Sequence, residues 1–275
     1  MKLFRLILPL QALGSILPRR RVAGTGAHTR GALPRRGKHF GGAITPRRGW
    51  KRGFARLRAV NYLAHLFLSG STAEAFIGGL LGDFVKGAID DSYSVRVGKG
   101  ISLHRKIDRY TDDHEVVAAS RRLISKQRRR FAGIMVDVFY DHFLARHWSR
   151  YAVMSLDEFT HGVYAILLQH HQDFPPRLQT IVPRMVHDDW LGSYRELWRV
   201  GAALDGISRR LRRSNTLAGG LSELEANYVR FEGYFLAFFP QLMRHVSRCK
   251  VDAGIAEGSV WKSSAAAAGH GARDL

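Results

Sequence analysis

Phe131 to Trp148 read FAGIMVDVFYDHFLARHW, and the fold is decided by which sides of a helix these side chains occupy. At about 100° per residue, Ile134, Met135, Val136, Val138, Phe139, Phe143 and Leu144 surround the axis on nearly all sides, which predicts a central, mostly buried helix. Such a helix needs partners all round it, and the flanking sequence offers helices rather than strands. There is no Asn-Gly hairpin signal and no sustained alternation of apolar and polar residues. No proline occurs between Arg47 and Phe174, as a run of helices requires, because a proline in a helix interior costs about 3 kcal/mol. Pairs with capping-box spacing sign helix starts: Ser71 with Glu74, Asp112 with Glu115, Ser155 with Glu158, Ser193 with Glu196, and Ser222 with Glu225. Apolar residues at three- and four-residue spacing follow, as in Leu156, Phe159, Val163, Ile166 and Leu167, or Leu224, Tyr228, Phe231, Phe235 and Phe238. Pro175, Pro176 and Pro183 mark a break between two helices. The expectation is an all-α, single helical bundle-like domain over residues 60–248, with a low-complexity tail at 249–275.

The chain has 275 residues, enough to bury a core without staples. Its single cysteine rules out a disulfide framework and a Cys-only zinc site. A net charge of +20 suggests nucleic acid until its placement is considered. Residues 1–59 hold 15 Lys or Arg and no acid, and the remainder is close to an ordinary globular balance at +5. That first segment is glycine-rich and lacks the periodicity that buries a face. Pro9 and Gln11 interrupt the apolar run of Met1 to Leu17, which is too short to span a membrane and precedes no clean cleavage site. Residues 1–59 are therefore expected to be a basic disordered extension, or a segment absent from the natural protein if translation starts at Val60.

Within the domain, acids and histidines recur at helical spacing. Asp137 and Asp141 share one face of the central helix, with His142 beside them and His147 further along. Two carboxylates in an apolar helix are costly unless a cation neutralises them. The cation is either a metal ion or an arginine from a neighbouring helix, and a hydrogen bond to His142 is the other alternative. In GISLHRKIDRYTDDH (100–114), His104, Asp108 and Asp112 are spaced by four and stack on one side of a helix, as ligands of one ion can. Asp112 also has the position of a helix cap. His65 lies on the apolar segment NYLAHLFL, as a core histidine or a ligand. Asp83 and Lys86 lie in LGDFVKG, whose neighbouring Gly78, Gly79, Gly82 and Gly87 suggest a tight helix–helix approach around Asp83. An oxygen-rich set with some imidazole suits Mn²⁺, Mg²⁺ or Fe²⁺. These ions polarise phosphoryl oxygens and activate water. Spacing alone thus reaches a metal-dependent hydrolase without a substrate.

The stretches NYLAHLFL, LGDFVKG, GISLHRKID with the following Thr111-Asp112, and DVFYDHFLARHW, in this order, closely resemble the bacterial acyl carrier protein phosphodiesterases. GISRRLRR (206–213) and FFPQLMRHVSR (238–248) are also similar to that family. The resemblance implies an all-helical cytoplasmic enzyme, distantly like the HD-type metal phosphohydrolases. Its reaction would release 4′-phosphopantetheine from the serine of holo-acyl carrier protein, leaving the apo-carrier. It implies a divalent metal, Mn²⁺ first and Mg²⁺ or Fe²⁺ next, between Asp83, His104, Asp108, Asp137 and Asp141, with His65 or His142 contributing. His142 is then a candidate proton donor, and Arg105 or Lys86 would neutralise the phosphoryl oxygens. The literal His-Asp order occurs only at His187-Asp188, so the HD analogy does not assign the ligands.

Carrier proteins of this kind are acidic, which gives the basic runs a use. Arg121, Arg122, Lys126, Arg128, Arg129 and Arg130 form one run, and Arg209, Arg210, Arg212 and Arg213 another. Complementary charge would speed encounter and set orientation. Two other readings stay open: a phosphohydrolase of a nucleotide or other phosphodiester, and a non-enzymatic basic helical protein that binds nucleic acid. No base-reading motif supports the second, and aromatics are not interleaved with the charges.

Overall fold

A computed structural model describes residues 61–211 and 213–255. The expectations for residues 1–59, for a start at Val60, for Arg212 and for residues 256–275 lie outside the described residues. The described residues fall in one compact unit built of helices, with no β-strand among them.

The chain opens with α1 (Tyr62–Ser69) and α2 (Ala73–Leu81), followed by the long α3 (Val95–Asp113) and α4 (Glu115–Leu123). Next come α5 (Ala132–Arg146), the short α6 (Trp148–Tyr151), and α7 (Leu156–Gln169). Beyond the proline pair lie α8 (Pro176–His187), the single turn α9 (Trp190–Ser193), and α10 (Leu197–Arg210). The described part closes with α11 (Leu221–Ala226) and α12 (Tyr228–Asp252).

Helix α5 is the centre, as its sequence requires. The seven apolar residues that ring it are all at most 8% exposed, and α1, α4, α10 and α12 pack around it. Its aromatic side chains mesh with α12, where Phe139 meets Phe231 and Phe143 meets Phe235 at ring separations of 5.1 and 5.9 Å. Each such buried ring removes a large apolar area from water, at roughly 25 cal/mol per Å².

Of the expected helix starts, only Ser155 with Glu158 forms a capping box. Thr72 rather than Ser71 caps α2. Asp112 does not stand at the start of α4: α3 runs on through Asp113, and His114 caps α4 through its ring nitrogen. Ser193 ends α9 and Ser222 lies inside α11, so Glu196 and Gly220 precede the helices that follow. The spacing was common to all five, but only at Ser155 does the chain turn into a helix at that residue. Helix α12 runs on beyond Arg248 to Asp252, with Lys250 only 2% exposed.

Candidate metal centre

Glycines build the centre. Helices α2 and α3 run backbone against backbone, because a Cβ at Gly78 would stand 2.6 Å from the Val97 carbonyl oxygen and 2.8 Å from Gly100 Cα. At the end of α2, Gly82 leaves the space that the His104 ring fills. The His104 Nδ1–H then donates to the Gly79 carbonyl at 2.7 Å, turning Nε2 inward. From α1, the His65 ring stacks on His104 with centroids 3.7 Å apart and planes 17° from parallel. Asp108, one turn after His104 on α3, places one carboxylate oxygen 3.1 Å from His65 Nε2 and the other 3.5 Å from His104 Nε2. Asp83, in the turn after α2, brings an oxygen to 3.6 Å from the same Nε2.

The charges in this centre are strongly coupled. Burial opposes a charge on His104, but Asp108 and Asp83 outweigh it and hold the imidazole up at about 9. Burial and the neighbouring His104 push His65 below its ordinary value despite Asp108. Burial would raise Asp108, yet the two imidazoles hold its carboxyl well below the usual carboxylate range. Positive charge at His104 is thus favoured by the two carboxylates that face it.

The donor set suits a divalent ion. Ligand atoms of His65, His104 and Asp108 lie within 4.8 Å of one another. His104 Nε2, buried, has no hydrogen-bond partner and faces the carboxylates. Neighbouring ligands held about 2.1 Å from one octahedral ion stand about 3.0 Å apart, close to the separations found here. A ring N–H donated to a backbone carbonyl is also how metal-bound histidines are oriented.

The other expected ligands lie elsewhere. Both Asp141 oxygens accept backbone amides at the start of α1, from Leu63 at 3.1 Å and Ala64 at 2.9 Å. Asp141 therefore anchors the helix that carries His65, satisfying donors that a helix N-terminus leaves open. Burial raises its carboxyl to about 8 despite these two bonds. Burial likewise raises Asp137 well above its usual range, against the pull of Arg121, and it is not one of the His-His-Asp group. Asp112 pairs with Arg121 at 2.7 Å. His142 points away, its Nδ1 on the Tyr194 carbonyl at 2.7 Å and its Nε2 on the Tyr228 hydroxyl at 2.9 Å. Arg105 donates to the Val85 carbonyl and Lys86 to that of Asp83, so both brace the turn that holds Asp83. His187 and Asp188 pair with each other on the surface, with His187 87% exposed.

The basic run divides in two. Arg128 is spent on Glu223 and the Thr216 and Ala218 carbonyls, and Arg129 on Ile124. Arg122, Lys126 and Arg130 are exposed. Arg209 and Arg210 line a cavity together with Tyr62, Trp190 and Tyr194. Those aromatic residues were not singled out from the sequence, where no spacing links Tyr62 to residues so far along the chain.

A buried group of two histidines and a carboxylate, with a second carboxylate beside it in an all-helical domain, defines a candidate divalent-metal protein. Over residues 60–242 the chain matches the family described as acyl carrier protein phosphodiesterase. It is 39% identical over 186 residues to the acyl carrier protein phosphodiesterase of Serratia proteamaculans, covering 67% of this chain and 96% of that protein. It is 34% identical over 185 residues to the protein of that name from Photorhabdus laumondii, covering 67% and 93%. For that from Yersinia pestis the identity is 33% over 193 residues, covering 70% and 100%. No solved structure matches. The chain belongs to the acyl carrier protein phosphodiesterase family. Among the described residues no helix is long and apolar enough to cross a membrane.

Proposed function

We propose that this chain hydrolyses the phosphodiester between 4′-phosphopantetheine and the serine of holo-acyl carrier protein, giving the apo-carrier and free 4′-phosphopantetheine. The observation that carries the proposal is the convergence of His65, His104 and Asp108, from two motifs within the matched region, on one buried point. These residues would hold a divalent ion, with Asp83 alongside. Mixed imidazole and carboxylate donors favour Mn²⁺ or Fe²⁺ over Mg²⁺, which prefers oxygen alone. When bound, the ion supplies polarisation of the phosphoryl group and a more acidic water.

The protein's own residues do the rest. Gly79 and Gly82 fix the His104 ring, Asp141 fixes the start of α1 and hence His65, and Asp108 joins the two imidazoles. Arg105 and Lys86 hold positive charge beside Asp83, where a phosphoryl group would approach. His142 is spent on Tyr194 and Tyr228 and is not the proton donor in this proposal. The exposed Arg122, Lys126 and Arg130 offer complementary charge to an acidic carrier. Kinship with HD-type phosphohydrolases would rest on the same His and Asp donors.

Conversion of holo- to apo-carrier on native gels with Mn²⁺ tests the proposal. Wild-type protein should convert it, and His104→Ala of equal helicity should not. Equal conversion by His104→Ala, or none by wild type, would overturn it.

A further inference from the structure

Between α9 and α10 lies a cavity of about 270 Å³, just under the roughly 300–1,000 Å³ that ligand sites span. Its floor is α10, where Ala203 and Gly206 keep the space open, and one wall is Trp190. Three arginines, Arg199, Arg209 and Arg210, line it against one carboxylate, Asp188, which is already paired with His187. The cavity therefore favours an anion attached to a slim chain.

It abuts the metal centre through Tyr62. This residue lines the cavity and stands three residues before His65 on α1, about 4.5 Å along the axis and on the same face. Its phenol is held protonated chiefly by burial, and it feels both Asp83 and Arg210. Arg210, whose guanidinium lies over the Trp190 ring, lines the cavity together with Tyr62.

The wall is also held by a backbone conformation that side chains rarely adopt. Asp189, just before Trp190, has φ of 45°, in the left-handed region that a non-glycine residue enters only when its surroundings enforce it. Its carboxylate accepts from the Tyr164 hydroxyl and the Gly192 amide, and the Tyr164 oxygen in turn accepts from the Leu191 amide. That network sets the turn from which Trp190 projects.

We infer that this cavity receives the phosphopantetheine side of the scissile bond, with Arg210 at its phosphate end and the carrier polypeptide left outside. The inference rests on the proposed activity for the identity of the chain, and on the cavity for its place. Arg209 and Arg210 then bind the arm rather than dock the carrier.

Calorimetric titration of the full-length protein with 4′-phosphopantetheine tests this. Wild type should bind it, and bind pantetheine lacking the phosphate more weakly. Arg210→Ala, which removes a charge-assisted contact, should weaken binding at least about tenfold. Ala203→Leu, which fills the cavity, should do the same while leaving affinity for apo-carrier unchanged, which also shows that the variant is folded. Unchanged affinity for the arm in both variants, or tighter binding of AMP than of 4′-phosphopantetheine, would overturn the inference. Cleavage of holo-carrier by wild type with unaltered KM in both variants would sink the cavity and spare the activity. Loss of arm binding in the variants, without any cleavage by wild type, would sink the activity and spare the cavity.

Discussion

Adding one methyl group at Gly82 should dismantle the metal centre while the helices survive. A Cβ built there would lie 2.1 Å from His104 Cγ, 2.4 Å from Cδ2 and 2.6 Å from Cβ. Carbon atoms in contact sit about 3.5–4.0 Å apart, so the ring must retreat by about 1.4 Å or more. Rotating the ring alone does not help, because His104 Cβ is fixed to α3 and is itself too close. Nor do the helices part freely, since Gly78 and Gly100 already hold them backbone to backbone. The Nδ1–Gly79 hydrogen bond of 2.7 Å is therefore lost, and Nε2 leaves Asp83 and Asp108. Loss of such an orienting partner costs about 10–100-fold in metal affinity, and a displacement of about 1 Å costs about 100-fold in turnover. Overpacking should also cost about 1–3 kcal/mol, a fall of several degrees in Tm for a domain of this size. Mn²⁺ calorimetry with far-UV circular dichroism measures both effects. Gly98→Ala is the control: it lies on α3 with His104, but its Cβ would meet only Ile89 Cγ2 at an ordinary 3.5 Å, so Mn²⁺ affinity should not change. Wild-type Mn²⁺ affinity in Gly82→Ala would refute this account of how His104 is aimed.

Asp141→Ala should lower stability before it alters chemistry, since it leaves the buried amides of Leu63 and Ala64 unpaired; at about 1–3 kcal/mol for each, Tm should drop by about 5 °C or more. The folded Asp141 carboxyl, raised to about 8 by burial, holds a proton that the unfolded chain releases near its ordinary value of 3.8. Its contribution to stability is thus complete below pH about 4 and is lost as pH rises through 8; denaturant titrations should show a decline there that Asp141→Asn flattens. Saturating Mn²⁺ should raise the Tm of the wild type, by about 2.7 kcal/mol of stabilisation at a hundred times Kd, and should leave that of Asp108→Asn unmoved in the same thermal-shift assay.

The fold was legible because it rests on one unambiguous pattern. A helix apolar on every side, as at Ile134 to Leu144, has to be central, and α5 is. The glycines near Asp83 likewise announced a close approach, and Gly82 against His104 is where it occurs. His104 and Asp108, four apart on one helix, were recognisable as a pair, and of the two readings of His65, core histidine or ligand, the structure brings its ring beside that pair. Periodicity did not distinguish Asp141 from these. A buried carboxylate at helical spacing reads alike whether it faces an ion or the amide end of a helix from a distant segment, and Leu63 and Ala64 lie 78 and 77 residues away. Nor could spacing show the partners of His142, since Tyr194 and Tyr228 are 52 and 86 residues off. The arginine runs illustrate a further limit. Composition shows that positive charge is dense, but only packing shows that Arg128 closes on Glu223 while Arg122 is left at the surface.

The most direct test is the intact mass of holo-acyl carrier protein after incubation with this protein and Mn²⁺ in heavy-oxygen water. The carrier should lose its 4′-phosphopantetheine, keep an unlabelled serine, and release 4′-phosphopantetheine carrying one heavy oxygen on phosphorus. A carrier mass that stays at the holo value, or loses the arm equally well with a metal chelator or with Asp108→Asn protein, would contradict the account.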